Sequence, residues 1–212
     1  MLEISNLKIM NKNIIVTGNL GVGKTSLVKR VGKLFNWYVI NESVTDNPYL
    51  IDFYKDMHSW AFQLQIYFIG DYAKKHIEVT KISQTVIMDR SIYETIHVFT
   101  PALHHLGFIN ERDYQNCIQI FDSIEKFIDP PDLLIYLKAP LKIINQRIQK
   151  RGLSFDYKGI NEEYLYLIDS FYKKWIQNFD LCPVLSIDTG NCNYVNDKQS
   201  LLLVAKHILQ KL

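Results

Sequence analysis

A chain of 212 residues that is 48% hydrophobic, 22% charged and 13% aromatic can bury a sizeable core, which excludes a disordered, collagen-like or coiled-coil protein. Lys and Arg number 24 against 22 Asp and Glu, and a formal charge of +2 sets up no broad field for nucleic acid or an anionic membrane. Any anion bound here is gripped locally. Apolar runs such as Leu133-Leu134-Ile135-Tyr136-Leu137 fall far short of the ~20 residues that span a bilayer. The N-terminus has no cationic stretch leading into an apolar core, so no secretory signal is expected, and Gln210-Lys211-Leu212 is not a peroxisomal address. Cys117, Cys182 and Cys192 lie far apart, with no Cys or His at ligand spacing. Reduced thiols in a cytoplasmic protein are expected, with Cys117 and Cys182 packed in the core. No repeat or Pro/Gly/Ser linker interrupts the chain, and one domain over 1–212 is the simplest organisation.

Apolar, β-rich runs recur at 13–17, 37–41, 85–88, 133–137 and 184–187, separated by segments of helical spacing. Solidly apolar strands alternating with helices predict an α/β fold whose parallel sheet is covered on both faces. The first run leads into Gly18-Asn19-Leu20-Gly21-Val22-Gly23-Lys24-Thr25, a complete Gly-x-x-x-x-Gly-Lys-[Ser/Thr] phosphate loop, with Ser26 next in line. The helix behind it carries its apolar stripe at Leu27, Val31, Leu34 and Phe35. Glycines let the backbone wrap an anion, Lys24 adds a positive charge, and the Thr25 hydroxyl is placed to ligate Mg²⁺.

Glu42 follows the second strand, and a helix is predicted over 53–74. The third ends at Asp89-Arg90-Ser91, followed by helices over 92–99 and 111–127. Acids at strand ends in such a sheet face the ligand crevice. There they can ligate Mg²⁺ or take a proton, while an adjacent Arg neutralises charge that develops during transfer. Pro130-Pro131 then stops the helix and hands the chain to the fourth strand. Helices over 141–150, 162–178 and 198–211 complete the pattern. Arg147 and Arg151 share a helix face, and with Gly152 as hinge they form a candidate lid over about 147–160. His104-His105 is discounted as a metal site, since adjacent side chains diverge and no further ligand is apparent.

Together these motifs resemble the deoxyribonucleoside kinases, a family of P-loop NTPase type. The matching strings are Asn47-Pro48-Tyr49-Leu50 after Glu42, then Tyr54, Trp60 and Leu64-Gln65, Asp89-Arg90-Ser91-Ile92-Tyr93-Glu94, and Pro131-Asp132-Leu133-Leu134-Ile135-Tyr136-Leu137. The look is nearest to the bacterial deoxyadenosine-type branch. The resemblance implies a three-layer fold with a five-stranded parallel sheet and a short arginine-containing lid. It also implies ATP-dependent phosphorylation of a deoxynucleoside 5′-hydroxyl for nucleotide salvage, with ATP and Mg²⁺ as cofactors. By the same likeness, Glu42 is the general base, and Arg90 holds the hydroxyl and the transferring group. Lys24, Arg147 and Arg151 meet phosphate, and Asp89 holds Mg²⁺ with Thr25. Gln65 pairs with the base, and Tyr54 with Asp156 holds the sugar 3′-hydroxyl. For Trp60 core packing is the better reading. A homodimer, an adenine loop at 188–197 and end-product feedback inhibition follow by likeness only.

The sequence departs from the family where base choice is set. Tyr72 and Thr95 stand where the family has an Arg and an Asp, so altered or widened base choice is expected. Leu153 replaces the second Arg of an Arg-Gly-Arg lid. Loss of one charge-assisted contact of about 1.5–3 kcal/mol slows transfer by roughly one to two decades. Two other readings stay open on sequence: a thymidylate-type monophosphate kinase, and a weakly active partner subunit of a paralogous kinase.

Overall fold

The computed structural model describes residues 11–42, 46–150 and 161–212. Five apolar segments form a parallel sheet, β1 (Asn13–Gly18), β2 (Tyr38–Ile40), β3 (Val86–Asp89), β4 (Leu133–Lys138) and β5 (Val184–Asp188), in the order β2-β3-β1-β4-β5. Each strand lies within a residue of the run expected for it. The strand order reverses at β1, which has β3 on one side and β4 on the other, and ligand crevices of such sheets open beyond the strand C-termini at this switch point.

Both faces of the sheet are buried, which explains the unbroken apolar runs. Strand side chains alternate between faces. Ile14, Val16, Ile87, Leu133 and Ile135 pack on one side with Leu27 and Val31 of α1 (Lys24–Phe35) and Ile208 of α9 (Lys198–Lys211). Ile15, Met88, Leu134 and Tyr136 pack on the other. There they meet α2 (Leu50–Lys55), α3 (Met57–Val79), α6 (Glu111–Glu125) and α8 (Glu162–Gln177). Cys117 is buried in this second core, as expected, whereas Cys182 is only partly buried and packs against its edge. All three cysteines are free. The remaining helix on the way to α8 is α7 (Leu141–Lys150).

Two helical segments differ from expectation. The stretch predicted as one helix from 53 is two, because Asp56 adopts a non-helical conformation and caps α3 through a bond from the Ser59 N–H. An Asp at this point competes for the backbone and favours a cap over a helix interior. Second, the helix after Ser91 runs on past 99 as α4 (Ile92–Glu94), a π-helical segment (Thr95–Phe99) and α5 (Thr100–His105). Pro101 lacks an N–H, and the widened turn just before it carries the chain through.

Candidate active site

A cavity of about 190 Å³ opens beyond the ends of β1, β2 and β3, lined by residues from the phosphate loop, α3, α8 and the π segment. The loop takes its shape from glycines with positive φ. At Gly18 φ is 137°, and a Cβ would stand 2.3 Å from the Leu137 carbonyl of β4. At Gly23 φ is 111°, with the Tyr194 hydroxyl 2.5 Å from such a Cβ. Lys24, the first residue of α1, is buried and donates to the carbonyls of Gly18 at 2.8 Å and Asn19 at 3.0 Å. Burial first, and Arg90 second, lower its pKa to about 8, against the opposing pull of Asp89, Glu42 and Glu94. Asn19 donates to the Leu165 carbonyl at 2.9 Å and so ties the loop to α8.

The two strand-end acids sit beside this loop. Thr25 Oγ1 donates to Asp89 Oδ2 at 2.5 Å, and Asp89 Oδ1 is buried with no hydrogen-bond partner among the described residues. Burial, then the charge of Glu42, push the Asp89 pKa up, while Lys24, Thr25 and Arg90 oppose them. A hydroxyl and an unsatisfied carboxylate oxygen are hard donors that fit Mg²⁺, which takes a few protein ligands and completes its shell with phosphate and water. Glu42 Oε1 lies 2.9 Å from Arg90 Nε. Arg90 has φ 70°, unusual for a residue with a side chain. Its N–H still bonds the Val16 carbonyl, so β3 ends there and the side chain turns over the Phe99 ring, 4.8 Å from the centroid.

The far side of the cavity is neutral. Gln65 on α3 is buried and its amide oxygen accepts from Thr100 Oγ1 at 3.2 Å. One helical face carries Gln65, Phe68 and Tyr72 into the cavity, and the π segment adds Thr95 and Phe99 opposite. The Tyr72 hydroxyl is buried without a hydrogen-bond partner among the described residues. Burial, followed by the charge of Glu42, holds its pKa well above the ordinary phenol value. Tyr54 also lines the cavity, whereas Trp60 packs against the core and beside Tyr49.

A phosphate loop, strand-end acids and a neutral recess share one cavity, and comparison with known proteins shows which family combines them. The deoxynucleoside kinase family model matches residues 14–212. The chain belongs to this family. The deoxyadenosine/deoxycytidine kinase of Bacillus subtilis is 33% identical over 90% of this chain and 88% of its own length. The deoxyguanosine kinase of the same organism is 31% identical over 92% and 95%. The deoxyadenosine kinase of M. mycoides, solved with the products dCMP and dCDP, superposes with a TM-score of 0.81 at 25% identity, covering 93% of this chain and 98% of that one. This protein is therefore an ATP-dependent deoxynucleoside kinase that binds small nucleosides and nucleotides. Among its described residues no helix is long and apolar enough to cross a membrane.

Of the kinase's residues expected at the site, Leu20, Gly21, Gly23, Lys24, Thr25, Glu42, Tyr54, Gln65, Tyr72, Arg90 and Thr95 line the one cavity. Gly18, Asn19, Val22 and Asp89 are buried beside it, and Ser26 is half-buried on α1. Arg147 is placed differently from the lid expectation. It donates to the Val22 carbonyl at 3.1 Å and to Thr189 Oγ1 and the Thr189 carbonyl at 2.9 and 2.6 Å. It joins the phosphate loop to the loop after β5 instead of lining the cavity. Arg151, Gly152, Leu153 and Asp156 lie outside the described residues. His104 pairs with Glu111 at 3.1 Å and stacks on Tyr114, and no cluster among the described residues is suited to a metal of His, Cys, Asp and Glu ligands alone.

Sequence reasoning gave no role to Glu94, Thr17 or Tyr172, which are buried in contact with one another beside Arg90, with Glu94 also lining the cavity. A signal for Glu94 was present, since an acid four residues after Arg90 on a helical segment is at pairing distance. A Tyr from α8 gave none.

Proposed function

We propose that catalysis by this kinase runs through Glu42 and Arg90, with the nucleoside's base against Gln65, Tyr72 and Thr95. The observation that carries this reading is the 2.9 Å Glu42–Arg90 pair in the same cavity as Lys24 and Gln65. Glu42 takes the proton of the 5′-hydroxyl. The 5′-oxygen forms its bond to the γ-phosphorus as the bond to the leaving ADP oxygen breaks, and that electron pair stays on ADP. Arg90 and Lys24 offset the charge on the transferring group, and fixed geometry supplies much of the remaining rate. Thr25 and Asp89 would hold Mg²⁺, which neutralises phosphate charge when bound. Tyr54 and Asp156 take the sugar in this reading, and Arg147 and Arg151 serve the phosphate side, Arg147 by holding the loops that frame it.

The reading extends to assembly and setting. α3 and α6 form a shallow groove lined by Phe62, Ile120 and Ile124, and Ile120 is exposed. A second copy covering this face makes the homodimer, in one cytoplasmic domain with reduced thiols. The neutral residues at 72 and 95 support widened base choice. The test is phosphorylation of the four deoxynucleosides with ATP and Mg²⁺, together with Glu42→Gln. The variant should bind nucleoside normally and lose ~10²-fold or more of kcat, the scale of a lost general base. Turnover of a monophosphate but no nucleoside, or undiminished kcat in Glu42→Gln, overturns the reading.

A further inference from the structure

Glu94 is the acid that the reaction scheme leaves unused, and it is fully buried. Its Oε2 accepts hydrogen bonds from Thr17 Oγ1 and from the Tyr172 hydroxyl, the latter at 2.9 Å. Its Oε1 lies 3.4 Å from Arg90 Nη1, which also donates to the Tyr172 hydroxyl at 3.2 Å. The contacts close into a ring in which the Tyr172 hydroxyl accepts once and donates once. Glu42 meets the same guanidinium through a different nitrogen, Nε. Asp89, the remaining neighbouring acid, is engaged with Thr25. Arg90 therefore stands between two carboxylates that both border the cavity, Glu42 partly exposed to it and Glu94 fully buried in its wall.

A buried carboxylate is costly unless it is paired and hydrogen-bonded, and so is a buried guanidinium. Glu94 has three donors, and burial still pushes its pKa up against the pull of Arg90 and Lys24. Its three donors fix both carboxylate oxygens in place, an arrangement that packing alone does not require. We propose that Glu94, with Thr17 and Tyr172, is a positioning device for Arg90, the standing counter-charge that keeps the guanidinium in place when Glu42 is neutralised by the 5′-hydroxyl proton. The proposal rests on the Glu42 and Arg90 roles given above. Once Glu42 carries the proton it no longer balances Arg90, and a guanidinium with no second partner would lose its registry at the moment phosphoryl charge develops. Glu94 touches neither the substrate nor the reacting atoms in this scheme.

A double-mutant cycle tests it, using Glu94→Gln, Arg90→Met and the pair, with kcat, both KM values and the thermal midpoint measured for each. Glu94→Gln alone is expected to lower kcat by about tenfold or more with KM for ATP within about twofold, the mark of an interaction used in the transition state. In the Arg90→Met background the same change should move kcat by less than about twofold, because there is no guanidinium left to position. It should also raise the thermal midpoint there, since an amide replaces a stranded carboxylate, while lowering it in the wild-type background. Equal fold-losses in both backgrounds, or a kcat within twofold of wild type for Glu94→Gln, overturn the proposal. If Glu94→Gln does not fold, Tyr172→Phe keeps the ring volume and takes its place in the cycle. A kcat loss of threefold or more that vanishes in the Arg90→Met background supports the proposal, and a loss equal in both overturns it. Failure of the underlying reading shows separately, as undiminished kcat in Arg90→Met, and overturns the proposal with it.

Discussion

Tyr72 shows how one residue sets a protein's stability against its function. Its hydroxyl is buried with no hydrogen-bond partner among the described residues, and an unmet buried hydroxyl costs about 1–3 kcal/mol. Removing it by Tyr72→Phe should leave stability unchanged or raise it by about 1 kcal/mol, read as a higher urea midpoint. If the hydroxyl meets the base, the same change costs kcat/KM for the preferred nucleoside by about 3–30-fold, the worth of one hydrogen bond. The ranking of the four deoxynucleosides should then flatten. A variant that is more stable and less selective assigns the hydroxyl to the base, and one that is equally selective excludes it.

At the scale of elements, the β1–loop–α1 unit depends on space as much as on charge. Gly18→Ala would place a methyl group 2.3 Å from the Leu137 carbonyl while holding φ at 137°. Backbone cannot give as a flexible side chain would, so β1 and β4 must separate. The expected result is a loss of about 2–4 kcal/mol of stability, with ATP affinity falling alongside, checked by thermal melts with and without nucleotide. This unit was legible in sequence because glycines, lysine and flanking periodicity lie within a few neighbouring positions. All five strands were legible for the same reason, each an apolar run with a turn after it. The break at Asp56 and the π turn before Pro101 were not, since a helical period continues across both. The first depends on a side chain capping its own backbone, and the second on where one hydrogen bond is skipped. Within the site, Glu42, Asp89 and Arg90 could be read as strand ends. Glu94 could not be given a role, because its meaning lies in Thr17 from β1 and Tyr172 from α8, distant in sequence and adjacent only once folded.

For the molecule as a whole, burial of titratable groups makes stability depend on pH, and buried histidines and buried acids pull it in opposite directions in mildly acid solution. His76 on α3 is buried at the edge of the Tyr93 ring, with neither ring nitrogen hydrogen-bonded among the described residues. Burial lowers its pKa from 6.5 to about 4. Burial also lowers that of His97, stacked on Trp175. The sign follows from which state takes the proton. Above pH 6.5 both the folded and unfolded forms of His76 are neutral, and it contributes no pH dependence. As the pH falls through 6.5 the unfolded chain is protonated and the folded one is not, so stability is lost until about pH 4, where the folded form also takes the proton. The full loss from His76 is about 3 kcal/mol. Glu94 and Asp89, with pKa values raised by burial, act in the opposite sense, gaining protons in the folded state as the pH drops. In urea unfolding at pH 7.5, 6.5, 5.5 and 4.5, the His76 contribution should therefore lower the midpoints increasingly below 6.5, set against the gain from the two acids. His76→Leu, which fills the site without a titratable group, should flatten that decline while leaving the nucleoside ranking as it was, since His76 does not line the active-site cavity. A decline of the same slope in His76→Leu would move the origin of the acid sensitivity to other groups.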